Sequence, residues 1–188
     1  MQGSHRHMSL LLTSSRVTLR EFVLEDWPAV HAYASRPETC RFQPWGPNSP
    51  AESQAYVALA IARAGEQPRS SYILAVVLAA TEGVIGAAAL EIRSRQHRSG
   101  EIAYVLHPDY WGQGYATEVA HLLVDFGFGT LGLHRVAGTC DPRNTASARV
   151  LQKTGMQYEG RLRETLLLRD GWRDSAVYSL LERDFSRK

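Results

Sequence analysis

The sequence predicts an α/β chain of the α+β type, with about seven strands and about four helices in the order β-α-α-β-β-β-α-β-α-β-β. Three observations lead there. Three apolar, β-branched runs follow one another between residues 72 and 107, separated only by short polar turns, which reads as an antiparallel meander. A strand at 101–107 passes through a glycine-containing turn straight into a helical pattern. Two further strand patterns at 158–169 and 173–181 flank Asp170-Gly171, a pair suited to a tight reversal.

Residues 16–22 alternate polar and apolar, giving a first strand with one buried face. Asp26-Trp27-Pro28 supplies an acidic cap and an early proline for a helix to about Ser35. Residues 36–50 hold Pro37, Pro44, Gly46, Pro47 and Pro50 and are expected to be irregular. Ser49-Pro50-Ala51-Glu52 is a capping box with proline at the first helical position, so a helix is expected from Pro50 to about Ala64, before Gly65 and Pro68. The meander strands are 72–78, 83–92 and 101–107. A helix then follows residues 111–116 and ends near Gly132, with Gly127 and Gly129 weakening its last turn. Residues 135–140 form a short strand, and 144–154 a helix with Asn144 near its cap and Gly155 past its end.

The chain has 188 residues, the size of one domain, with 44% apolar and 21% charged residues, which excludes disorder and collagen-like repetition. Its net charge of +2 and lack of a basic run speak against general nucleic-acid binding. No apolar stretch approaches the roughly 20 residues of a membrane helix. Cys40 and Cys140 are the two cysteines, without histidines at ligand spacing, so neither a metal site nor a disulfide scaffold is expected and a reducing cytoplasm is the simplest home. Residues 1–7 read as an expression-tag remnant, with the native start at Met8 and one domain over 8–188.

Chemistry is concentrated in residues 101–117. At a strand–turn–helix junction the first amides of the helix lack intrahelical acceptors, and the helix dipole adds partial positive charge, so the turn suits a phosphate. Gly112 and Gly114 let a ligand approach the backbone. A P-loop would need Lys-Ser or Lys-Thr where Tyr115-Ala116 stands, and a dinucleotide fingerprint a further glycine at Thr117. On residues alone, a tight turn that merely closes a strand–helix unit stays open beside the phosphate reading.

Element order and turn together resemble the GNAT superfamily of acyl-CoA-dependent N-acetyltransferases, whose Gln/Arg-x-x-Gly-x-Gly/Ala turn wraps the coenzyme A pyrophosphate. The matching segment is Trp111-Gly112-Gln113-Gly114-Tyr115-Ala116, with Trp111 where Gln or Arg is usual, a departure that leaves the backbone amides in place. Residues 141–156 carry an Asn-x-x-Ser helix followed by Gly155 and Met156, similar to the subgroup of ribosomal-protein N-terminal alanine and serine acetyltransferases. The resemblance spans nearly the whole chain. It implies one mixed, mostly antiparallel central sheet, acetyl-CoA as co-substrate without a metal, an amine acceptor, and the homodimers common in that subgroup.

The resemblance also implies residue roles. Acetyl-CoA is expected along Tyr104, Val105, Leu106 and His107, where its pantetheine arm adds like a strand, and along Trp111, Gly112, Gln113, Gly114, Tyr115, Ala116 and Thr117. An amide around Val105 would polarise the thioester carbonyl. Asn144 has two readings, a bond to the pantetheine arm and a helix cap. Ser147, one turn on, is either the acid that protonates the departing thiolate or a small packing residue. Glu101 is either the group that accepts the amine proton or an exposed strand-end charge. Phe42 and Trp45, with Arg41, are candidates for acceptor contact. Arg143, Arg149 and Lys153 are candidates for the 3′-phosphate of the coenzyme. The His107 ring is left out of catalysis. The expected reaction is acetyl transfer to a primary amine, with a peptide N-terminal α-amine favoured. A small amine or a coenzyme-binding sensor without turnover are the alternatives.

Overall fold

The computed structural model describes residues 10–185; the tag reading of residues 1–7 and the start at Met8 lie outside them. One mixed sheet of eight strands runs through the molecule in the order β1-β2-β3-β4-β5-β6-β8-β7. The strands are β1 (Leu11–Thr13), β2 (Val17–Glu21), β3 (Ser71–Leu78), β4 (Val84–Ser94), β5 (Ser99–Leu106), β6 (Arg135–Cys140), β7 (Gln157–Leu168) and β8 (Gly171–Leu181). Every pair is antiparallel except β5 with β6. The helices are α1 (Trp27–Ala34), α2 (Pro37–Cys40), α3 (Pro50–Ala64), α4 (Tyr115–Gly129) and α5 (Thr145–Lys153).

Local chemistry fixes several of these bounds. The Ser49 hydroxyl accepts from the Glu52 amide, and the Glu52 carboxylate accepts from the Ser49 amide at 2.7 Å, so α3 begins at Pro50 as its capping box predicts. Gly127 sits in the last turn of α4, where a Cβ would press to 3.0 Å from Val136 and 3.2 Å from Leu90, so the glycine lets α4 lie close on the sheet. Among the described residues, no helix is long and apolar enough to cross a membrane.

Two apolar layers flank the sheet. One, with Leu74, Leu90, Ile102, Leu123 and Leu151, is covered by α4 and α5; the other, with Phe22, Tyr33, Val57, Ala75 and Ala87, is covered by α1 and α3. Alternation assigns the faces of β5: Ile102 packs in the first layer, and Val105 against the second.

Three expectations need correction. Among the described residues there are eight strands and five α-helices, because Leu11–Thr13 pairs with β2 and because Pro37–Cys40 makes one helical turn inside the segment expected to be irregular. Proline is tolerated in a first turn, where its missing N–H has no intrahelical partner to lose. The last reversal falls one residue early: Leu168 pairs with Gly171, so its two loop residues are Arg169 and Asp170, and Gly171 (φ +116°) already belongs to β8.

Candidate active site

β5 and β6 run side by side for only four positions, Ser99 opposite Arg135 to Ile102 opposite Gly138, and then separate. Beyond Ile102, β5 keeps β4 as its neighbour, while Thr139 and Cys140 of β6 stay paired with β8. The gap between them exposes one edge of residues 103–106, an edge to which an extended arm can add by β-augmentation.

Register decides which amides face that gap. The His107 N–H donates to the Ile85 carbonyl of β4 at 2.8 Å. Backbone groups two residues apart point the same way, so the Val105 N–H is also turned to β4. The amides facing the gap are those of Tyr104 and Leu106. The expected polarising amide around Val105 thus falls on one of its neighbours, while the Val105 side chain lines the cavity on the α1–α3 face. The Leu106 carbonyl, also on the open edge, accepts from the Trp111 indole Nε1 at 2.8 Å. Trp111 thus holds the turn against the strand end. The His107 ring accepts the Asp109 amide at Nδ1 (3.2 Å), a structural bond that closes the turn.

The turn presents five consecutive free amides. Trp111 N–H donates to the Pro108 carbonyl and Thr117 N–H to Gly114, whereas among the described residues no acceptor meets the amides of Gly112, Gln113, Gly114, Tyr115 and Ala116. The expected binding stretch 111–117 therefore narrows to 112–116 as far as amides are concerned. Gly112 (φ +74°) and Gly114 (φ +86°) adopt left-handed backbone, the conformation that turns successive N–H groups toward one side. A Cβ at Gly112 would meet nothing within 4 Å and one at Gly114 only the Arg16 side chain at 3.4 Å, so these glycines answer to backbone conformation rather than internal crowding. With the N-terminus of the fifteen-residue α4 behind them, the amides form a cradle that fits a diphosphate.

Sequence reasoning missed Arg16. It pairs with Glu118 at 2.8 Å, donates to the Gln113 carbonyl at 3.1 Å and lies over the Tyr115 ring at 4.5 Å. The turn is therefore clamped from β2, and the only forewarning was an arginine beside the first strand. Gln113 adds a bond from its side chain to the Asp109 carbonyl at 2.9 Å.

Across the gap, the Asn144 Oδ1 accepts the Ser147 amide at 3.1 Å, so Asn144 caps α5; its Nδ2 has no acceptor among the described residues. The Ser147 hydroxyl is 3.1 Å from the Tyr104 hydroxyl. Burial pushes the Tyr104 phenol far up, so Tyr104 stays protonated. Burial likewise raises the Cys140 thiol, although the Arg173 charge and Ser147 oppose that rise. On the α1–α3 face, Glu101 accepts from Arg93 Nε at 3.0 Å and from the Thr139 hydroxyl at 3.0 Å. Each carboxylate oxygen has capacity for one more donor.

Glu101, Tyr104, Val105, Asn144 and Ser147 line one cavity of about 1180 Å³, with Phe42 and Trp45 on its outer wall. Arg41 is exposed against the Phe42 ring. Arg143 is occupied by Asp141 and Asp170, at 2.8 and 2.7 Å, which removes it as a free phosphate partner; Arg149 and Lys153 are exposed on α5.

Residues 16–157 match the family model described as an acetyltransferase (GNAT) domain. YnaD of Bacillus subtilis, named as an uncharacterized N-acetyltransferase, is 30% identical over 175 residues, 93% of this chain and 99% of its own. A solved acetyltransferase (GNAT family) from Bacillus anthracis is similar at a TM-score of 0.81 and 29% identity, covering 93% of this chain and 99% of that one. Ribosomal-protein-S5-alanine acetyltransferase from Vibrio fischeri shares the fold at a TM-score of 0.78 and 21% identity, covering 95% and 100%.

Proposed function

The chain belongs to the GNAT acetyltransferase family, whose members use acetyl-CoA, and from that premise we propose that it transfers acetyl to a primary amine, favouring the N-terminal α-amine of a peptide. The observation that carries the reading is the row of five partnerless amides beside two separating strands.

Acetyl-CoA, when bound, supplies an acetyl group already activated as a thioester. Gly112 to Ala116 grip its diphosphate through their N–H groups. The amides of Tyr104 and Leu106 hold the arm, and the one nearer the carbonyl polarises it, a contribution of roughly 3–4 kcal/mol in a transition state. Asn144 offers its free Nδ2 to the same arm while capping α5. Glu101 takes the amine proton, and the Thr139 and Arg93 donors fix its orientation. The protonated Tyr104 hydroxyl lies 3.1 Å from the Ser147 hydroxyl and 3.3 Å from the Ser147 carbonyl; when it donates to the hydroxyl oxygen, the Ser147 proton is free for the departing thiolate.

Support for a peptide acceptor comes from the likeness of the Asn144–Ser147 helix and of the turn to the ribosomal-protein N-terminal acetyltransferases. The cavity of about 1180 Å³ leaves room for an acceptor beside the coenzyme arm that Tyr104, Asn144 and Ser147 also line. The test is thiol release from acetyl-CoA with two panels, short peptides with free N-termini and small amines. Faster release with peptides is expected. Turnover confined to small amines would overturn the acceptor, and no release with any amine would overturn the transfer reaction.

A further inference from the structure

The cavity wall holds a group that the transfer chemistry does not use. Arg173 of β8 lines the cavity and is only 8% exposed, yet among the described residues no carboxylate lies within 4.0 Å of its guanidinium. Its Nε is buried without any hydrogen-bond partner. One Nη donates to the Ser175 hydroxyl at 2.8 Å, and the other reaches only the Phe42 carbonyl, at a long 3.4 Å. A guanidinium carries five N–H donors, so this one is short of acceptors. Its charge helps to hold the buried Asp141 carboxyl low, but no hydrogen bond joins the two, and a buried guanidinium with donors left over is expensive.

The other charges on the wall are accounted for. Arg93 pairs with Glu91 and Glu101, Glu52 is held by the Ser49 cap, and both oxygens of the buried Asp141 are engaged by Arg143. Arg169, in the same hairpin, donates to the Trp45 carbonyl at 3.2 Å and has no carboxylate partner among the described residues. The Tyr33 hydroxyl, on the α1 wall, is a second buried donor without a partner. Donors lacking acceptors thus line the same cavity as the transfer groups.

From this geometry we infer that the acceptor carries, besides its amine, an anionic group, a carboxylate or a phosphate, which Arg173 binds with help from Arg169. In a peptide this is an acidic or phosphorylated side chain near the N-terminus. An oxyanion entering beside Phe42 supplies the missing acceptors and displaces the long bond to that carbonyl. The inference rests on the acetyl-transfer reading only in calling the bound molecule the acceptor. If Arg173 served merely to pin the Phe42–Trp45 loop, its loss would affect charged and neutral acceptors alike.

The test uses matched probes that differ in one group. Amidated peptides with Glu, phosphoserine or Gln in second place are compared with short linear amines ending in a carboxylate, a phosphate or a neutral amide. Binding is measured by calorimetry with coenzyme A present, and kcat/KM by thiol release. The unmutated protein is expected to favour one anionic class over its neutral partner by about tenfold or more. Arg173→Met should bring that class down toward the neutral level, with a smaller change on the neutral probes, and Arg173→Lys should restore part of the preference. Whether glutamate or phosphoserine gains identifies the anion. Equal treatment of anionic and neutral probes by the unmutated protein would overturn the inference, whatever the variants do. So would an equal loss on both in an Arg173→Met protein that melts normally. Anion-selective binding without thiol release from any probe would refute transfer and leave the anion site standing.

Discussion

Tyr104 and Ser147 come from elements far apart in the chain, β5 and α5, and meet as hydroxyls 3.1 Å apart at the mouth of the gap. If Ser147 delivers the proton to the thiolate, Ser147→Ala should lower kcat roughly 10²-fold while the coenzyme A Kd stays within about threefold. Unchanged kcat would remove Ser147 from the mechanism. Tyr104→Phe should show a smaller loss of the same kind, since it acts through Ser147. Glu101→Gln should lower kcat/KM at neutral pH by about 10–100-fold and recover as pH rises and the amine sheds its own proton; a loss independent of pH would contradict the base role. The glycine turn and the Asn-x-x-Ser helix were legible because both are local in sequence. Arg16, Arg173 and the facing of the Tyr104 and Leu106 amides were not, because each depends on a partner in another element, far along the chain. A sequence shows that 104–107 is a strand, but only its register with β4 shows which of its amides are free.

Among elements, the meander and α3 were the most readable, since cap and periodicity act within a few residues. The three-residue β1 was missed because so short an edge strand has no period to detect. The position of β8 between β6 and β7 is set by long-range pairing, so no local signal announces it. Gly86 ties the meander to the site. A Cβ there would stand 2.2 Å from the Val105 carbonyl oxygen and 3.0 Å from the Leu106 Cα, so β5 itself would have to move. Gly86→Ala should cost about 1–3 kcal/mol, as overpacking does. That corresponds to a fall in Tm of roughly 2–12 °C for a chain of this size. It should also weaken coenzyme A binding, because the displaced residues edge the gap. A normal melt with unchanged binding would show that the two strands have more slack than these distances allow.

Across the whole molecule, ion pairs fasten segments that the sheet alone leaves apart. Burial pushes the Asp26 carboxyl up, but two bonds from Arg20 and one from the Val23 amide outweigh it and hold the group below the usual range. Asp141 shows the same balance with Arg143. Arg135 and Ser179 hold Glu159 down to about 2, joining β6, β7 and β8. Folded-state values below the unfolded ones mean that these groups stabilise the fold fully above about pH 4–5, and that this stabilisation fades as pH falls toward 2. Tm should therefore be flat from pH 8 to about 5 and then drop. Asp26→Asn should lower neutral-pH stability by about 1–3 kcal/mol and make the acid limb shallower; an acid limb of unchanged steepness would assign it to other groups.

The most direct measurement is a titration of ¹⁵N-labelled protein with coenzyme A, following each backbone amide. The amides of Gly112, Gln113, Gly114, Tyr115 and Ala116 should move downfield together and saturate at one Kd, as donors do on meeting phosphate oxygens. Saturable shifts elsewhere with those five unmoved, or no shifts at all, would contradict the account.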